Sequence, residues 1–170
     1  MENIEIKAKV SDLHIIREKI LKMEHKYIGL DHQVDTYFHT KSGRMKLRES
    51  KLSGSYMVLY FRDDICGPKS STYQIVPVKN SDEVKSLLSQ MLGLQVIVEK
   101  ERDIFLYENV RVHLDQVTGL GEFMELEAVM DEKFNDRGKE TEKVNYLLDI
   151  LDINKENLLS QSYRELVAEK

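Results

Sequence analysis

Charged and apolar side chains alternate along several short segments of this chain, so the charges of each segment share one face of a predicted strand. Successive side chains of a β-strand point to opposite faces, and the segment Arg44-Met45-Lys46-Leu47-Arg48 therefore presents a row of cations on one side. Similar rows occur near residues 3–9, 96–102, 111–115 and 125–127, and some of them also carry carboxylates. A sheet curled around a polyanionic, metal-bound ligand would present this pattern on its inner face.

The cations and the carboxylates of these rows suggest two complementary binding roles. The cations are Lys7, Lys46, Arg48, Arg62, Lys100, Arg102 and Arg111. They are too numerous for a single carboxylate or monophosphate and favour a triphosphate, whose oxygens accept charge-assisted hydrogen bonds. The carboxylates are Glu5, Asp115, Glu125 and Glu127. They would repel such a ligand unless a hard divalent cation, Mg²⁺ or Mn²⁺, bound to carboxylate and phosphate oxygens together.

The same rows could instead be solvated outer faces of strands joined by cross-strand salt bridges. This alternative suits any single row. Several independent rows, each in phase with apolar residues on its opposite face, favour an enclosed site. Glu125 and Glu127 lie on the same strand face, about 6.5–7 Å apart, a spacing that can straddle one or two metal ions.

Other residue types that often carry chemistry indicate little here. Cys66 stands beside Gly67 without a paired histidine, which argues against thiol catalysis. Gly119-x-Gly121 precedes a predicted strand, so it indicates a hairpin turn rather than a phosphate loop. Four histidines without metal-ligand spacing are predicted to be surface or core residues: His25, His32, His39 and His113.

The elements that would position the charged rows follow from hydrophobic periodicity, caps and turns. Helices are predicted over residues 12–26, 81–92 and 138–151, with a short helical tail at 155–168. Strands are predicted over residues 2–10, 33–39, 44–50, 56–63, 72–78, 94–107, 110–117 and 122–130. Few connections are long enough for parallel crossovers, and a sheet of eight or nine antiparallel strands usually curls or closes. We therefore predict an α+β fold, a barrel with a polar interior and helices packed outside, as one domain over residues 1–170.

Composition limits the classes of function and the location. Among the 170 residues, 41% are hydrophobic and 32% charged, as is typical of a soluble globular protein. The net charge of −5 argues against a nucleic-acid binder that works by overall basicity. Cys66 is the only cysteine, the chain opens on a charged strand without an apolar signal segment, and no apolar run approaches the length of a membrane span. We expect a cytoplasmic protein with no membrane partner, in which the C-terminal helices could support a homodimer.

The charged rows also resemble the motifs of the CYTH domain, in the right order over nearly the whole chain. The matching segments are Asn3–Lys7, Asp35–Phe38, Arg44–Glu49, Glu99–Arg102, His113–Asp115 and Glu125–Glu127. That superfamily includes class IV adenylate cyclases, thiamine triphosphatase, bacterial inorganic triphosphatases and fungal RNA triphosphatases. The resemblance implies a closed eight-stranded antiparallel barrel, the triphosphate tunnel. The stretch Gln33–Phe38 and the tail Ser162–Leu166 resemble the cyclase-like branch in particular.

The resemblance further implies a role for each site residue. Phosphates would be held by Lys7, Lys46, Arg48, Arg62, Lys100 and Arg102, with Arg111 as an additional contact. Metal would be held by Glu5, Asp115, Glu125 and Glu127, and the residues implied in catalysis are Glu5, Lys7, Arg102 and Asp115. The N-terminal Glu-x-Glu-x-Lys signature of the family begins here with Asn3, a neutral residue, which predicts weaker metal binding.

Three functions are compatible with these features. The first is a class IV-type adenylate cyclase, in which the 3′-hydroxyl of ATP attacks the α-phosphorus and pyrophosphate leaves. The second is a triphosphatase, in which water attacks the γ-phosphorus of thiamine triphosphate, tripolyphosphate or a nucleoside triphosphate. The third is a binding module for polyphosphorylated ligands without catalysis, which Asn3 keeps open. The same charged rows serve all three, since only the position of the scissile bond along the cavity differs.

Overall fold

A closed antiparallel barrel forms the centre of the computed structural model, which describes residues 2–62 and 65–169. Within these residues there are eight strands: β1 (Glu2–Lys9), β2 (Lys26–Phe38), β3 (Arg44–Ser50), β4 (Gly54–Arg62), β5 (Lys69–Val78), β6 (Leu94–Tyr107), β7 (Val110–Val117) and β8 (Gly121–Met130). The helices of the same residues are α1 (Leu13–Ile20), α2 (Ser81–Leu92), α3 (Arg137–Ile150) and α4 (Tyr163–Ala168), with a 3₁₀ turn at Lys155–Asn157. The predicted α+β fold, with an eight-stranded antiparallel barrel and helices outside, is confirmed.

The barrel contains two runs of consecutive antiparallel strands, β2 to β5 and β6 to β8, and pairs between strands that are distant in sequence join them. The order around the barrel is β1-β5-β4-β3-β2-β6-β7-β8, and β8 closes it by pairing with β1. The longest strands, β2 and β6, pair from Lys26 with Leu106 to Phe38 with Leu94 and so connect the two runs. Every described strand therefore has two neighbours, which leaves no open sheet edge among the described residues.

The hydrophobic core lies outside the barrel, between the sheet and the helices. Ile16 of α1 and Leu147 of α3 pack against outward-facing strand residues such as Ile6. On another side, α2 covers Leu47 and its neighbours on β2 and β4. Because the apolar residues of each strand face these helices, the alternating charged residues must face the barrel interior. None of the described helices is long and apolar enough to cross a membrane.

Helix boundaries account for most differences from the predicted elements. The helix predicted over residues 12–26 ends at Ile20, and β2 begins at Lys26 rather than at residue 33. Tyr27 suits a strand, and its pairing with Phe105 of β6 extends β2 backwards. Asn80 caps α2, and its side chain accepts a hydrogen bond from the Glu83 amide. The predicted end of the fourth strand, residue 63, lies outside the described residues.

The predicted helical tail over residues 155–168 is divided. It begins as the 3₁₀ turn, is extended at Leu158, continues without helix through residues 159–161, and becomes helical again at α4. Ser162 and Glu165 form a capping box that starts α4. The extended part cannot be helical because its backbone bonds to the barrel: the Leu159 amide donates to the Lys7 carbonyl at 2.8 Å.

Candidate active site

The barrel encloses a cavity of about 140 Å³ that is lined mainly by charged side chains. All the predicted phosphate-binding cations line it: Lys7, Lys46, Arg48, Arg62, Lys100, Arg102 and Arg111. Three of the predicted carboxylates, Glu5, Glu125 and Glu127, line it as well, together with Asn3. Asp115 is fully buried in the wall. The rows are therefore inner faces of the barrel, and the alternative of solvated outer faces does not apply.

Asp35 joins three of the predicted phosphate-binding cations into one cluster. Its carboxylate accepts two hydrogen bonds from Arg48, at 2.6 and 2.7 Å, one from Lys46 at 2.9 Å and one from Lys100 at 3.3 Å. Burial alone would raise the pKa of Asp35, but the three cations, Arg48 foremost, hold that pKa well below its usual value. Burial also lowers the pKa of Lys100 to about 7, although Asp35 opposes the shift. Asp35 was not among the predicted site residues.

Arg102 is the centre of a second cluster. It donates to both oxygens of Asp115, at 2.7 and 2.6 Å, and to Glu125 Oε2 at 2.7 Å. Lys7 binds the other oxygen of Glu125 at 2.8 Å. Burial would raise the pKa of both carboxyl groups, but Arg102 lowers the pKa of Asp115 to about 2, and Lys7 with Arg102 holds the pKa of Glu125 well below its usual value. These carboxylates therefore stay ionised.

A third cluster contains the carboxylates that the cations neutralise less well. Glu5 of β1 stands directly opposite Glu127 of β8. Burial, and then the charges of Glu125 and Glu127, raise the pKa of Glu5. Arg62 donates to Glu5 at 3.2 Å, and Arg111 lies 3.7 Å from Glu127.

His113 also belongs to this third cluster, although its spacing along the sequence predicts no metal ligand. It faces Glu125 across the β7–β8 pair, and its Nδ1 lies 3.9 Å from Glu125 Oε2 and 4.0 Å from Glu127 Oε1. Within the described residues, His113, Glu125 and Glu127 are the group with ligand atoms close enough together for a metal ion. Burial, with the nearby charge of Arg102, lowers the pKa of His113 and favours a neutral imidazole. Its alternation with Arg111 and Asp115 in the sequence indicates that its side chain shares their inward face of β7.

The third cluster fits a divalent cation. Asn3 Oδ1 and His113 Nδ1 are buried polar atoms without a hydrogen-bond partner. Such atoms are rare in folded proteins and are expected where an ion or water completes the site. Carboxylate oxygens, an amide oxygen and an imidazole nitrogen are all metal ligands in proteins. The residues that would hold the ion are Glu5, Glu127 and His113 of this cluster, with Glu125 of the second cluster and Asn3 beside them. Asp115, also predicted as a metal ligand, is instead bonded to Arg102 and Tyr163.

Residues 158–161 pass across one mouth of the barrel and cover it. Besides the bond from Leu159 to β1, the Ser160 carbonyl accepts hydrogen bonds from Arg62 at 3.2 Å and from Lys69 at 3.1 Å. Burial, and then the charge of Arg62, lower the pKa of Lys69 to about 8. Lys69 was also absent from the predicted site. We call residues 158–161 the strap.

Tyr163, the first residue of α4, inserts its ring into the same mouth. Its hydroxyl donates to Asp115 Oδ2 at 2.7 Å, and the Lys7 ammonium lies 4.0 Å from the centre of its ring. Arg44 fixes the helix by an ion pair of 2.7 Å with Glu165. Tyr163 occurs in the cyclase-like tail noted in the sequence, but only the structure places it in the tunnel.

The covered mouth gives the tunnel a direction. Along β4 the residues that line the cavity are Tyr56, Val58, Tyr60 and Arg62, and Arg62 contacts the strap. Tyr56 is six residues away from Arg62, or about 20 Å along the strand. On β5, Lys69 likewise contacts the strap, and Ile75 lines the cavity six residues farther along the strand. The strap therefore marks one end of the cavity, and Tyr56 and Ile75 line it toward the opposite, open end.

Comparisons with known proteins agree with this architecture. The family model described as the CYTH domain matches residues 1–163. A Methanocaldococcus jannaschii protein named "Putative adenylate cyclase" is 30% identical in an alignment of 178 positions that covers 98% of each chain.

Two solved structures share the fold. One, from Vibrio parahaemolyticus and also named a "putative adenylate cyclase", has a TM-score of 0.79 at 19% identity and covers 98% of this chain and 97% of its own. The other, from Hippeastrum, is described as a "putative adenylyl cyclase" with a dominant triphosphatase activity. It has a TM-score of 0.64 at 11% identity and covers 99% of this chain and 94% of its own.

Proposed function

The chain belongs to the CYTH domain family, and we propose that it is a divalent-metal-dependent enzyme that converts ATP to cyclic AMP and pyrophosphate. The name of the Methanocaldococcus relative supports a cyclase, and the clusters of the tunnel support a triphosphate substrate. The observation that carries the proposal is the order of the clusters between the covered mouth and the open one.

A nucleoside triphosphate would enter through the open mouth with its phosphates first. The strap and Tyr163 cover the other mouth, so the bulky nucleoside would stay toward the open mouth, near Tyr56 and Ile75. The terminal phosphates would then reach the cations nearest the strap, Lys7 and Arg62.

Two of the candidate metal ligands, Glu127 and His113, lie farther from the covered mouth than the residues that contact Tyr163. On β7, Asp115 bonds to Tyr163, and His113 is two residues farther along the strand. On β8, Phe123 packs against the Tyr163 ring with ring centres 5.0 Å apart, and Glu127 is four residues farther, or about 13 Å. A nucleotide bound in this direction would have its α-phosphate, rather than its γ-phosphate, beside Glu127 and His113. This order favours chemistry at the α-phosphorus.

Each wall of the tunnel would then contribute to the reaction. When bound, the metal ion supplies Lewis acidity that polarises a phosphate oxygen and lowers the pKa of the attacking hydroxyl. Lys7, Arg62 and Lys100 would hold the β- and γ-phosphates and offset the charge that develops on the leaving pyrophosphate. Arg102, fixed by Asp115, would orient the phosphate chain, and the strap would exclude water from the covered end.

Product analysis tests this proposal. The purified protein is incubated with ATP and Mg²⁺, Mn²⁺ or Co²⁺, and the products are identified by ³¹P NMR and chromatography. We expect cyclic AMP and pyrophosphate in equal amounts, and no turnover by a Lys46→Met variant. Orthophosphate with ADP, and no cyclic AMP, would overturn the cyclase proposal. Tight tripolyphosphate binding without any turnover would leave the non-catalytic binding module.

A triphosphatase is the second candidate, favoured by Glu5. This candidate metal ligand accepts a hydrogen bond from Arg62 at 3.2 Å, so an ion held by Glu5 would lie toward the covered end, where the γ-phosphate would be. The activity described for the Hippeastrum protein is of this kind. The products from ATP separate the two candidates, because a triphosphatase would release orthophosphate and ADP, whereas a cyclase would release pyrophosphate and cyclic AMP.

A further inference from the structure

His113 is a buried histidine whose free nitrogen points into an acidic cluster. Its residue exposure is 3%, and Nδ1 makes no hydrogen bond. A buried polar atom without a partner is unfavourable unless a ligand completes it. The nearest acceptors, Glu125 Oε2 and Glu127 Oε1, lie 3.9 and 4.0 Å away. Both distances are too long for a hydrogen bond.

These distances suit ligands that share a metal ion. Metal–ligand bonds of about 2.0–2.2 Å, at angles from tetrahedral to linear, place two ligand atoms about 3.3–4.4 Å apart. The nitrogen of His113 and the oxygens of Glu125 and Glu127 fall within or near this range, and all lie within 4.8 Å of one another. Glu127 is available for an ion, since Arg111 approaches it only to 3.7 Å.

We propose that His113 is a nitrogen ligand of the tunnel's metal ion and that it makes the site prefer Co²⁺ or Zn²⁺ to Mg²⁺. Imidazole favours the later transition metals, whereas Mg²⁺ favours carboxylate, carbonyl and water oxygens. The inference deepens the proposed function, because it names the class of metal that the same site would take.

Asn3 strengthens this preference. It lines the cavity two residues from Glu5 on the same face of β1, and its Oδ1 has no hydrogen-bond partner. A carboxylate at this position would add the charged oxygen that Mg²⁺ binds best, and an amide does not. Asn3 and His113 together give the site an amide oxygen and an imidazole nitrogen in addition to its carboxylates.

Metal titrations of the nucleotide-free protein test the proposal. Binding of Co²⁺ and Mg²⁺ is measured by calorimetry, and Co²⁺ binding also by its visible absorption, for the parent protein and for His113→Gln. We expect the variant to bind Co²⁺ at least tenfold more weakly and Mg²⁺ within twofold of the parent. His32→Gln is the matched control, because His32 is 40% exposed and contacts Glu99 on the outer surface. Its Co²⁺ affinity should not change.

Two results would overturn the proposal: an unchanged Co²⁺ affinity in His113→Gln, or an equal loss for Co²⁺ and Mg²⁺. The second would mean that His113 only supports the carboxylates. If the variant does not fold, ¹⁵N NMR of the histidines in the unmodified protein decides. Zn²⁺ should shift one buried imidazole nitrogen to the metal-bound range, and no response from any of the five histidines would refute the proposal. Because no nucleotide is present, metal binding through His113 without cyclic AMP formation would reject only the proposed reaction.

Discussion

Replacement of Lys100 by methionine should make the protein more stable while it weakens triphosphate binding. Lys100 is almost fully buried, and burial lowers its pKa from 10.5 to about 7. The unfolded chain therefore binds a proton at this site more tightly than the folded protein does, and the charged lysine opposes folding. Its removal does not isolate Asp35, because Arg48 and Lys46 still bind that carboxylate.

The size of the effect depends on pH in a defined direction. The folded-state pKa lies below the unfolded-state value, so the destabilisation is complete below pH 7 and disappears as the pH rises through 10.5. Proton linkage with these two pKa values gives an upper limit on the destabilisation by Lys100 of about 4 kcal/mol at pH 7 and about 2 kcal/mol at pH 9. The stability gained by Lys100→Met should therefore shrink by about 2 kcal/mol between pH 7 and pH 9.

Urea unfolding of the parent and of Lys100→Met at pH 7, 8 and 9 measures this gain. Lys41→Met, at an exposed turn position, is the control and should change neither the stability nor its pH dependence. Tripolyphosphate binding, measured by calorimetry at pH 7, should weaken at least tenfold in Lys100→Met. A gain that stays constant between pH 7 and pH 9, or a variant less stable than the parent at pH 7, would refute the reasoning.

Three further substitutions test other parts of the structure. Tyr163→Phe removes the hydrogen bond to the buried Asp115 carboxylate and should lower the free energy of unfolding by about 1.5–3 kcal/mol, against less than about 0.5 kcal/mol for the exposed Tyr146→Phe in the same urea titration. Asn3→Glu adds a fourth carboxylate to the candidate metal site, so Mg²⁺ should raise the melting temperature more than in the parent; an equal rise would place residue 3 away from the ion. Leu147→Ala opens a cavity in the core outside the barrel and should lower the free energy of unfolding by about 2–5 kcal/mol, while calorimetry should find tripolyphosphate affinity unchanged.

The inward direction of the charged rows could be predicted from the sequence because strand geometry is local. The alternation from Arg44 to Arg48 fixes which side chains share a face, and the amphipathic helices require the other face to be apolar. The limits of β3, Arg44–Ser50, were predicted correctly for the same reason. The early end of α1 was not predicted, because the pairing of Tyr27 with Phe105 joins residues far apart in the chain.

The partners of the charged residues could not be predicted, because they depend on which strands become neighbours. Asp35 meets Arg48 and Lys100 only because β2 lies between β3 and β6 in the barrel. His113 meets Glu125 through the register of the β7–β8 pair, and its spacing from other ligand-type residues along the chain gave no sign of this. Asp35 and His113 both contribute to the site through contacts with residues that are distant in the sequence.

The direction of the tunnel is the feature that separates the candidate reactions. A cyclase and a triphosphatase can use the same cations and carboxylates, and the reactions differ in which phosphorus lies beside the metal. The proposed cyclase rests on the C-terminal strap, whose bonds to Arg62 and Lys69 cover one mouth and would leave the nucleoside the other. In that direction of binding, the candidate ligands Glu127 and His113 would be nearer to the nucleoside than to the end of the phosphate chain. For a triphosphate without an organic group, such as tripolyphosphate, this constraint disappears, so the same site could hydrolyse that compound even if it cyclises ATP.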